Sequence, residues 1–247
     1  MTHTSNTRVW QCLSGNALKL IAALTMLIDH VGVILLPDVL LLRVIGRIAF
    51  PIFAFMIAEG SRYTKSRVRY FCSVLFLGVL CQIGLWVYNP DAKLNVLLTF
   101  SVSILLLYAL QHVKNVLAQD LPALKKLLFS LPFPALFAAA LLFCHLKSVE
   151  YGFAGCILPL FPAVLYPAEG KKPAFLTPLP LVLLASIGVL VLAVGMGGVQ
   201  WFALLSLPLL LVYSGKRGKY RMKYFFYLFY PLHILLLEGL ALLLALR

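Results

Sequence analysis

The feature that most constrains this chain is its near-unbroken succession of apolar segments. Read between charges and Pro or Gly punctuation, nine such segments follow one another: 17–36, 44–59, 70–88, 96–112, 127–145, 151–166, 178–194, 199–213 and 224–245. Hydrophobic residues make up 62% of the 247 positions and charged residues only 12%. A soluble globular chain is roughly 45–50% apolar and about 25% charged. A spanning helix takes about 20 residues, so nine would use about 180 and leave room only for tails and connections. The expected fold class is therefore all-α: a polytopic membrane helical bundle of about nine transmembrane helices. It forms a single transmembrane domain over residues 1–247 with no separate soluble domain. The segments 44–59 and 199–213 are short enough to be tilted or interrupted.

Charge supports this reading. Lys and Arg number 21 against 8 Asp and Glu, for a formal net charge of +13. Arg62, Lys65, Arg67 and Arg69 follow the second segment, and Lys114, Lys125 and Lys126 follow the fourth. Lys171 and Lys172 follow the sixth; Lys216, Arg217, Lys219, Arg221 and Lys223 follow the eighth. Arg43, Lys93 and Lys147 are nearly all that the odd-numbered connections carry. Basic residues collect on the cytoplasmic side of membrane proteins, which puts the N-terminus in the cytoplasm, the C-terminus outside, and makes nucleic acid an unneeded partner. The polar stretch 1–16 precedes a first apolar run that contains Asp29-His30 and lacks a small-x-small cleavage pattern, so that run reads as a retained span. The five cysteines show no metal or disulfide spacing and read as structural.

Polar residues inside such segments are expensive. A charge near the bilayer centre costs at least about 2.5–3.5 kcal/mol on insertion scales and so marks a functional candidate. Asp29 and His30 sit within the first segment, past its midpoint. Adjacent helical residues do not face each other, so Asp29 is expected to meet a cation, Arg43 or Arg47, while His30 points into a cavity. Glu59 lies near the cytoplasmic boundary, where it could cap the following basic cluster. His233 follows Pro231 deep in the ninth segment; proline frees a backbone carbonyl and favours a polar-lined site. His112 and His145 fall at segment ends. No P-loop, GxGxxG, GxSxG or close metal-ligand spacing occurs, so nucleotide-driven chemistry and a metal site are not expected.

Two signatures lie in the first two segments. Leu18-Lys19-Leu20-Ile21-Ala22 leads to Met26-Leu27-Ile28-Asp29-His30-Val31-Gly32, and Gly46-Arg47-Ile48-Ala49-Phe50-Pro51-Ile52-Phe53-Ala54-Phe55 is followed by Glu59-Gly60. Weaker ones follow at Asn95-Val96-Leu97-Leu98-Thr99, Tyr151-Gly152-Phe153-Ala154-Gly155 and Phe229-Tyr230-Pro231-Leu232-His233. In this order, over nearly the whole chain, they resemble the TraX family of conjugation-associated membrane proteins. That family's plasmid members acetylate the N-terminus of pilin at the bacterial inner membrane. It is similar to wider transmembrane acyltransferases, which move an acyl group from cytosolic acyl-CoA to acceptors at or beyond the membrane and use a buried histidine near the first helices.

The resemblance implies a multi-pass acyltransferase of the bacterial cytoplasmic membrane, with acetyl-CoA or another acyl-CoA as donor and no metal. The acceptor would be an amine or hydroxyl: a peptide N-terminus, a small amine or a sugar. His30 is the matched histidine, with Asp29 beside it and Arg47 in the second motif. Acyl transfer needs a base near neutral pH, a role histidine suits, or an acyl-accepting nucleophile. It also needs donors at the developing oxyanion, where Arg47, Asn95 or Tyr151 could act. His233 and Glu59 would help hold the substrate. Arg62, Lys65, Arg67 and Arg69, with Lys216 and Arg217, would meet the phosphates of CoA. Two rival readings stay open: a transporter or flippase with Asp29, Arg47, Glu59 and His233 along its path, and a subunit that uses these residues as interhelical glue.

Overall fold

The computed structural model describes residues 11–169, 178–220 and 222–245. The chain is all-helical. Its first half comprises α1 (Gly15–Ile34), α2 (Leu40–Gly46), α3 (Ala49–Tyr63), α4 (Arg67–Tyr88), α5 (Val96–Leu117), α6 (Ala123–Ser130) and α7 (Pro132–Leu146). Then follow α8 (Gly152–Ile157), α9 (Leu160–Ala163), α10 (Pro178–Met196), a 3-10 stretch over Gly198–Ser206, α11 (Leu207–Leu211) and α12 (Lys223–Ala245). Among the described residues, extended pairing is confined to isolated bridges at Leu13–Tyr213 and Leu94–Val149.

Seven segments are long and apolar enough to cross a membrane: Gly15–Ile34, Leu40–Tyr63, Arg67–Val87, Val96–Leu117, Ala123–Leu146, Leu179–Met196 and Tyr224–Leu244. They coincide with seven of the nine apolar segments. The remaining two are shorter, Gly152–Ala163 and Gly198–Leu211. The second segment, expected to be short, is one of the long ones; it is interrupted between α2 and α3 around Arg47. The sixth is the one cut short, because Pro159 and Pro162 fall inside it and each removes a helical hydrogen bond.

The chain divides into two compact units. One is built from the described residues up to Phe53 and from Gly197 onward; the other is Ala54–Met196. The boundary runs through α3 and carries no linker composition.

In the first unit, α1 buries Leu18, Ala22, Thr25, Asp29 and Gly32 on one face. This spacing of three and four residues keeps them in line along a helix. Small residues there admit a close partner. A Cβ on Gly32 would stand 2.8 Å from Leu42 Cβ, and one on Gly46 would fall inside the Asp29 side chain. Thus α1 and α2 approach closely enough for only hydrogen to fit at these points. Ser14 caps α1 by accepting from Ala17 N at 3.2 Å. Backbone bonds from Leu13 N to Val212 O and from Ser214 N to Leu13 O tie the same end to the chain after α11. The segment from Gln200 to Tyr213 thereby runs from the level of Asp29 back to the level of Leu13. A 3-10 stretch rises about 2.0 Å per residue, so it covers that length with few residues.

The second unit is organised around α5. Asn95 caps it, accepting from Leu97 N at 3.0 Å and Leu98 N at 3.4 Å. Its hydroxyls hold the shorter segment alongside: Thr99 Oγ1 donates to Glu150 O at 2.8 Å and Ser103 Oγ to Cys156 O at 2.8 Å. Near its other end Lys114 Nζ donates to Tyr166 O at 2.9 Å. The chain from Glu150 to Tyr166 therefore follows α5 from Thr99 to Lys114, a rise of about 22 Å. On α4, Phe76, Val79, Leu80, Ile83 and Val87 form an exposed apolar stripe, the surface a lipid-facing helix requires.

The Gly46 contact yields a test. Gly46→Ala must expel the Asp29 carboxylate, and overpacking of this kind costs about 1–3 kcal/mol. Its melting temperature in detergent should fall clearly below that of Gly84→Ala, whose added Cβ meets nothing within 4 Å. Equal melting of the two variants would refute the close approach.

Candidate functional site

The first unit gathers the most costly polar groups. Asp29 on α1 is 9% exposed and Arg47, at the end of α2, is 7% exposed. Arg47 Nη2 lies 2.6 Å from both carboxylate oxygens of Asp29, and Arg43 Nη1 reaches Oδ2 at 2.8 Å. The sequence left Arg43 and Arg47 as alternatives; both are used. Arg47 also donates through Nε to Arg43 O at 3.3 Å and through Nη1 to Gln200 Oε1 at 3.3 Å. Two guanidinium groups against one carboxylate give the cluster a formal charge of +1, an environment suited to an anion or a developing oxyanion.

One residue on, about 100° around α1, His30 faces α12. Its Nδ1 is 3.0 Å from His233 Nε2, with ring centroids 4.9 Å apart. His233 Nδ1 lies 2.7 Å from Phe229 O, and the Phe229 ring stacks on His233 at 4.8 Å. These contacts order the protons of a neutral pair. A carbonyl only accepts, so His233 carries its proton on Nδ1 and presents Nε2 as an acceptor. His30 must then donate from Nδ1, which leaves its Nε2 with the free lone pair. His30 was expected to open onto a cavity; what it meets is a second histidine. His233, expected to help hold the substrate, contacts the ring that the sequence singled out.

Other candidates lie in the second unit. Glu59 accepts from Tyr166 OH at 2.8 Å and pairs with Arg62 at 3.8 Å, in keeping with a cap on the basic cluster. Asn95 does not present a spare donor. Its Nδ2 serves Gly78 O at 2.8 Å and Gln82 Oε1 at 3.0 Å while its Oδ1 caps α5. It is a structural cap, so the sequence reading of a substrate contact finds no free group there. Tyr151 stands at the start of α8 with a φ of 63°, a left-handed conformation rare for a non-glycine residue.

Of the basic residues, Arg62 and Arg67 line one cavity of about 240 Å³ together with Lys114, Tyr108, Gln111 and Glu169. Arg62 lies over the Tyr166 ring at 5.0 Å, and Arg67 pairs with Glu169 and lies over Tyr108 at 5.4 Å. Three cations against one carboxylate leave the lining positive. Ser61 Oγ, buried in the same wall, has no protein partner. Lys65 and Arg69 are exposed and do not line the cavity. Lys216 and Arg217 belong to the first unit, where their carbonyls accept from Gly15 N at 2.8 Å and Asn16 N at 2.9 Å and their side chains are exposed. Lys171, Lys172 and Arg221 lie outside the described residues. Among the described residues no group of three or more His, Cys, Asp or Glu side chains could hold a metal.

Sequence reasoning missed two residues. Lys114 was counted as a loop cation and sits at the end of α5. Gln200 was passed over as the edge of a short apolar segment; the signal was a lone amide just after Gly197-Gly198.

Asp29→Asn leaves both guanidinium groups without their counter-charge, and breaking one side of a buried pair costs about 3–5 kcal/mol. The melting temperature and monodisperse yield should both drop, whereas Asp38→Asn, at an exposed position, should melt as wild type. A stable Asp29→Asn protein would show that the carboxylate is incidental.

Residues 14–241 match the family described as TraX protein. The chain is 30% identical over 252 residues to the probable fimbrial assembly protein FimC, serogroup H1, of Dichelobacter nodosus, covering 89% of this chain and 92% of that protein. It is also 41% identical over 66 residues to the uncharacterized protein RP591 of Rickettsia prowazekii (strain Madrid E), covering 27% of this chain and 25% of that one. No solved structure matches. With the family match extending over nearly its whole length, the chain belongs to the TraX family.

Proposed function

We propose that this protein is a membrane-embedded acyltransferase that moves an acetyl or other acyl group from acyl-CoA to an amine or hydroxyl. The observation that carries this reading is the buried relay Phe229 carbonyl–His233–His30 beside the net-positive Asp29–Arg43–Arg47 cluster. A relay of this kind sets a tautomer and orients a base, as a second hydrogen-bonded group commonly does for histidine. His30 Nε2 takes the proton from the acceptor N–H or O–H as that atom attacks the thioester carbonyl carbon. The new C–N or C–O bond forms, the C–S bond breaks, and the CoA thiolate recovers the proton from His30. The same lone pair would serve if His30 itself carried the acyl group.

The phosphates of the donor are assigned to Arg62, Arg67 and Lys114, the cations that line one cavity with an unpartnered Ser61 hydroxyl. The acceptor is assigned to pilus assembly, because a relative matched along most of its length is named as a probable fimbrial assembly protein; a pilin N-terminus has the required amine. The bacterial cytoplasmic membrane is the site, with the N-terminus inside, following the alternation of basic loops. The two shorter segments each run most of the way along a long helix, which supports nine passes. A transporter reading is less well supported: Asp29 is clamped by two guanidinium groups and Glu59 is held by Tyr166 and Arg62, whereas a transport path needs groups that exchange partners.

The direct test is purified protein with acetyl-CoA. Thermal stabilisation by acetyl-CoA beyond that by ATP, and slow CoA release without acceptor, are the expected results; the absence of both would contradict the reading. Within it, His233→Ala should lower kcat about 10–100-fold, the usual size for a group that orients a functional ligand or base. His233→Gln, whose amide oxygen can accept from His30 Nδ1, should recover much of the loss. No difference between the two variants would remove the orienting role.

At the cavity, Arg62→Gln combined with Lys114→Gln should raise the KM for acetyl-CoA about tenfold or more and leave the acceptor KM nearly unchanged, since charge-assisted bonds to phosphate contribute mainly to donor binding. An unchanged donor KM would remove the phosphate assignment.

A further inference from the structure

Gln200 is 2% exposed. Its Oε1 accepts from Arg47 Nη1 at 3.3 Å, and its Nε2, also buried, has no protein partner. The orientation of this amide is not arbitrary. A guanidinium only donates, so the oxygen must face Arg47 and the NH2 must be the group left over. A buried donor without an acceptor costs about 1–3 kcal/mol, and native structures keep such groups rare.

The backbone explains how it comes to be there. Gly197 and Gly198 have φ of 66° and 53°, values that side chains disfavour, and Gln200 N donates to Gly197 O at 3.1 Å. This turn starts the 3-10 stretch and brings Gln200 against the end of α2. There it shares Arg47 with Asp29, the residue next to His30. The arrangement thus leaves one fixed, uncommitted donor: an amide NH2 whose direction the buried guanidinium sets. Asn95, the amide that the sequence suggested as an oxyanion donor, has its donors committed elsewhere.

We propose that Gln200 is a catalytic residue whose Nε2 donates to the oxygen of the acyl carbonyl as it becomes an oxyanion. This rests on the acyl-transfer reading and adds the group that binds the developing charge. Attack of the acceptor converts the carbonyl C=O to C–O⁻. Nε2–H stabilises that oxygen without transferring its proton, and the C=O bond re-forms as the C–S bond to CoA breaks. The free energy that Gln200 gains with an oxyanion is absent with the resting site, so its effect falls on the chemical step.

The decisive variant is Gln200→Glu, which keeps an oxygen for Arg47 and nearly the same shape but replaces the donor with an acceptor. The assay is acetyl-CoA turnover in detergent with and without a primary-amine acceptor, alongside the melting temperature. Removal of one oxyanion donor typically lowers kcat about 10²–10³-fold. Gln200→Glu should show a loss of that size, with the acetyl-CoA KM within about threefold of wild type and an unchanged melting temperature. Gln200→Met, uncharged and of similar length, should show a comparable loss of kcat and covers the case in which the carboxylate variant does not fold. Turnover within about threefold of wild type in either variant overturns the proposal, because a merely structural amide would leave the chemical step untouched. A wild-type protein that neither transfers nor hydrolyses acetyl-CoA, by contrast, overturns the acyl-transfer reading itself and this role with it.

Discussion

The structure of the first unit depends on one ion cluster. A carboxylate in an apolar segment is tolerated only with a counter-charge and hydrogen bonds for its oxygens. Asp29 has both from Arg47 and Arg43. That requirement draws α2 onto α1 and explains why hydrogen alone stands at Gly32 and Gly46 along the contact. It also fixes the rotation of α1. Once Asp29 is turned toward α2, the next residue in a 3.6-residue helix must point about 100° away, and His30 meets α12.

From that rotation follows the proton order of the site. The Phe229 carbonyl dictates the tautomer of His233, which dictates that of His30, so the free lone pair on His30 is assigned by contacts made on another helix. Arg47 performs a comparable service for Gln200, whose amide it turns by accepting nothing and donating to its oxygen. The histidine pair and the Gln200 amide are themselves neutral, which suits surroundings where an uncompensated charge is expensive. An imidazole lone pair and an amide NH2 are therefore oriented by the protein's own contacts, the condition under which electrostatic stabilisation costs no reorganisation.

Much of this was legible in the sequence because membrane chemistry makes polar residues conspicuous. Asp29, His30, Arg47 and His233 stood out as rare charges or imidazoles in apolar runs, and helical geometry alone separated Asp29 from His30. The partner of His30 was not legible: His30 and His233 lie 203 residues apart, and no local spacing encodes a contact between α1 and α12. An asparagine at the start of an apolar helix has two uses, and at Asn95 capping takes the oxygen while Gly78 and Gln82 take the NH2. The sixth segment read as a full span since its length is adequate on paper; two prolines broke it into α8 and α9. Lys65, Arg69, Lys216 and Arg217 are cations like Arg62 and Arg67, but whether a cation lines a cavity depends on its place in the fold, which charge counting ignores.

The central claim is that His30 removes the proton from the acceptor or carries the acyl group. Single-turnover transfer from labelled acetyl-CoA, with excess enzyme in detergent, isolates that step from donor binding and product release. Wild type should pass the label to an amine acceptor, while His30→Ala should bind acetyl-CoA with near wild-type affinity and transfer nothing measurable above the uncatalysed rate. Transfer by His30→Ala at a near-normal rate would contradict the account.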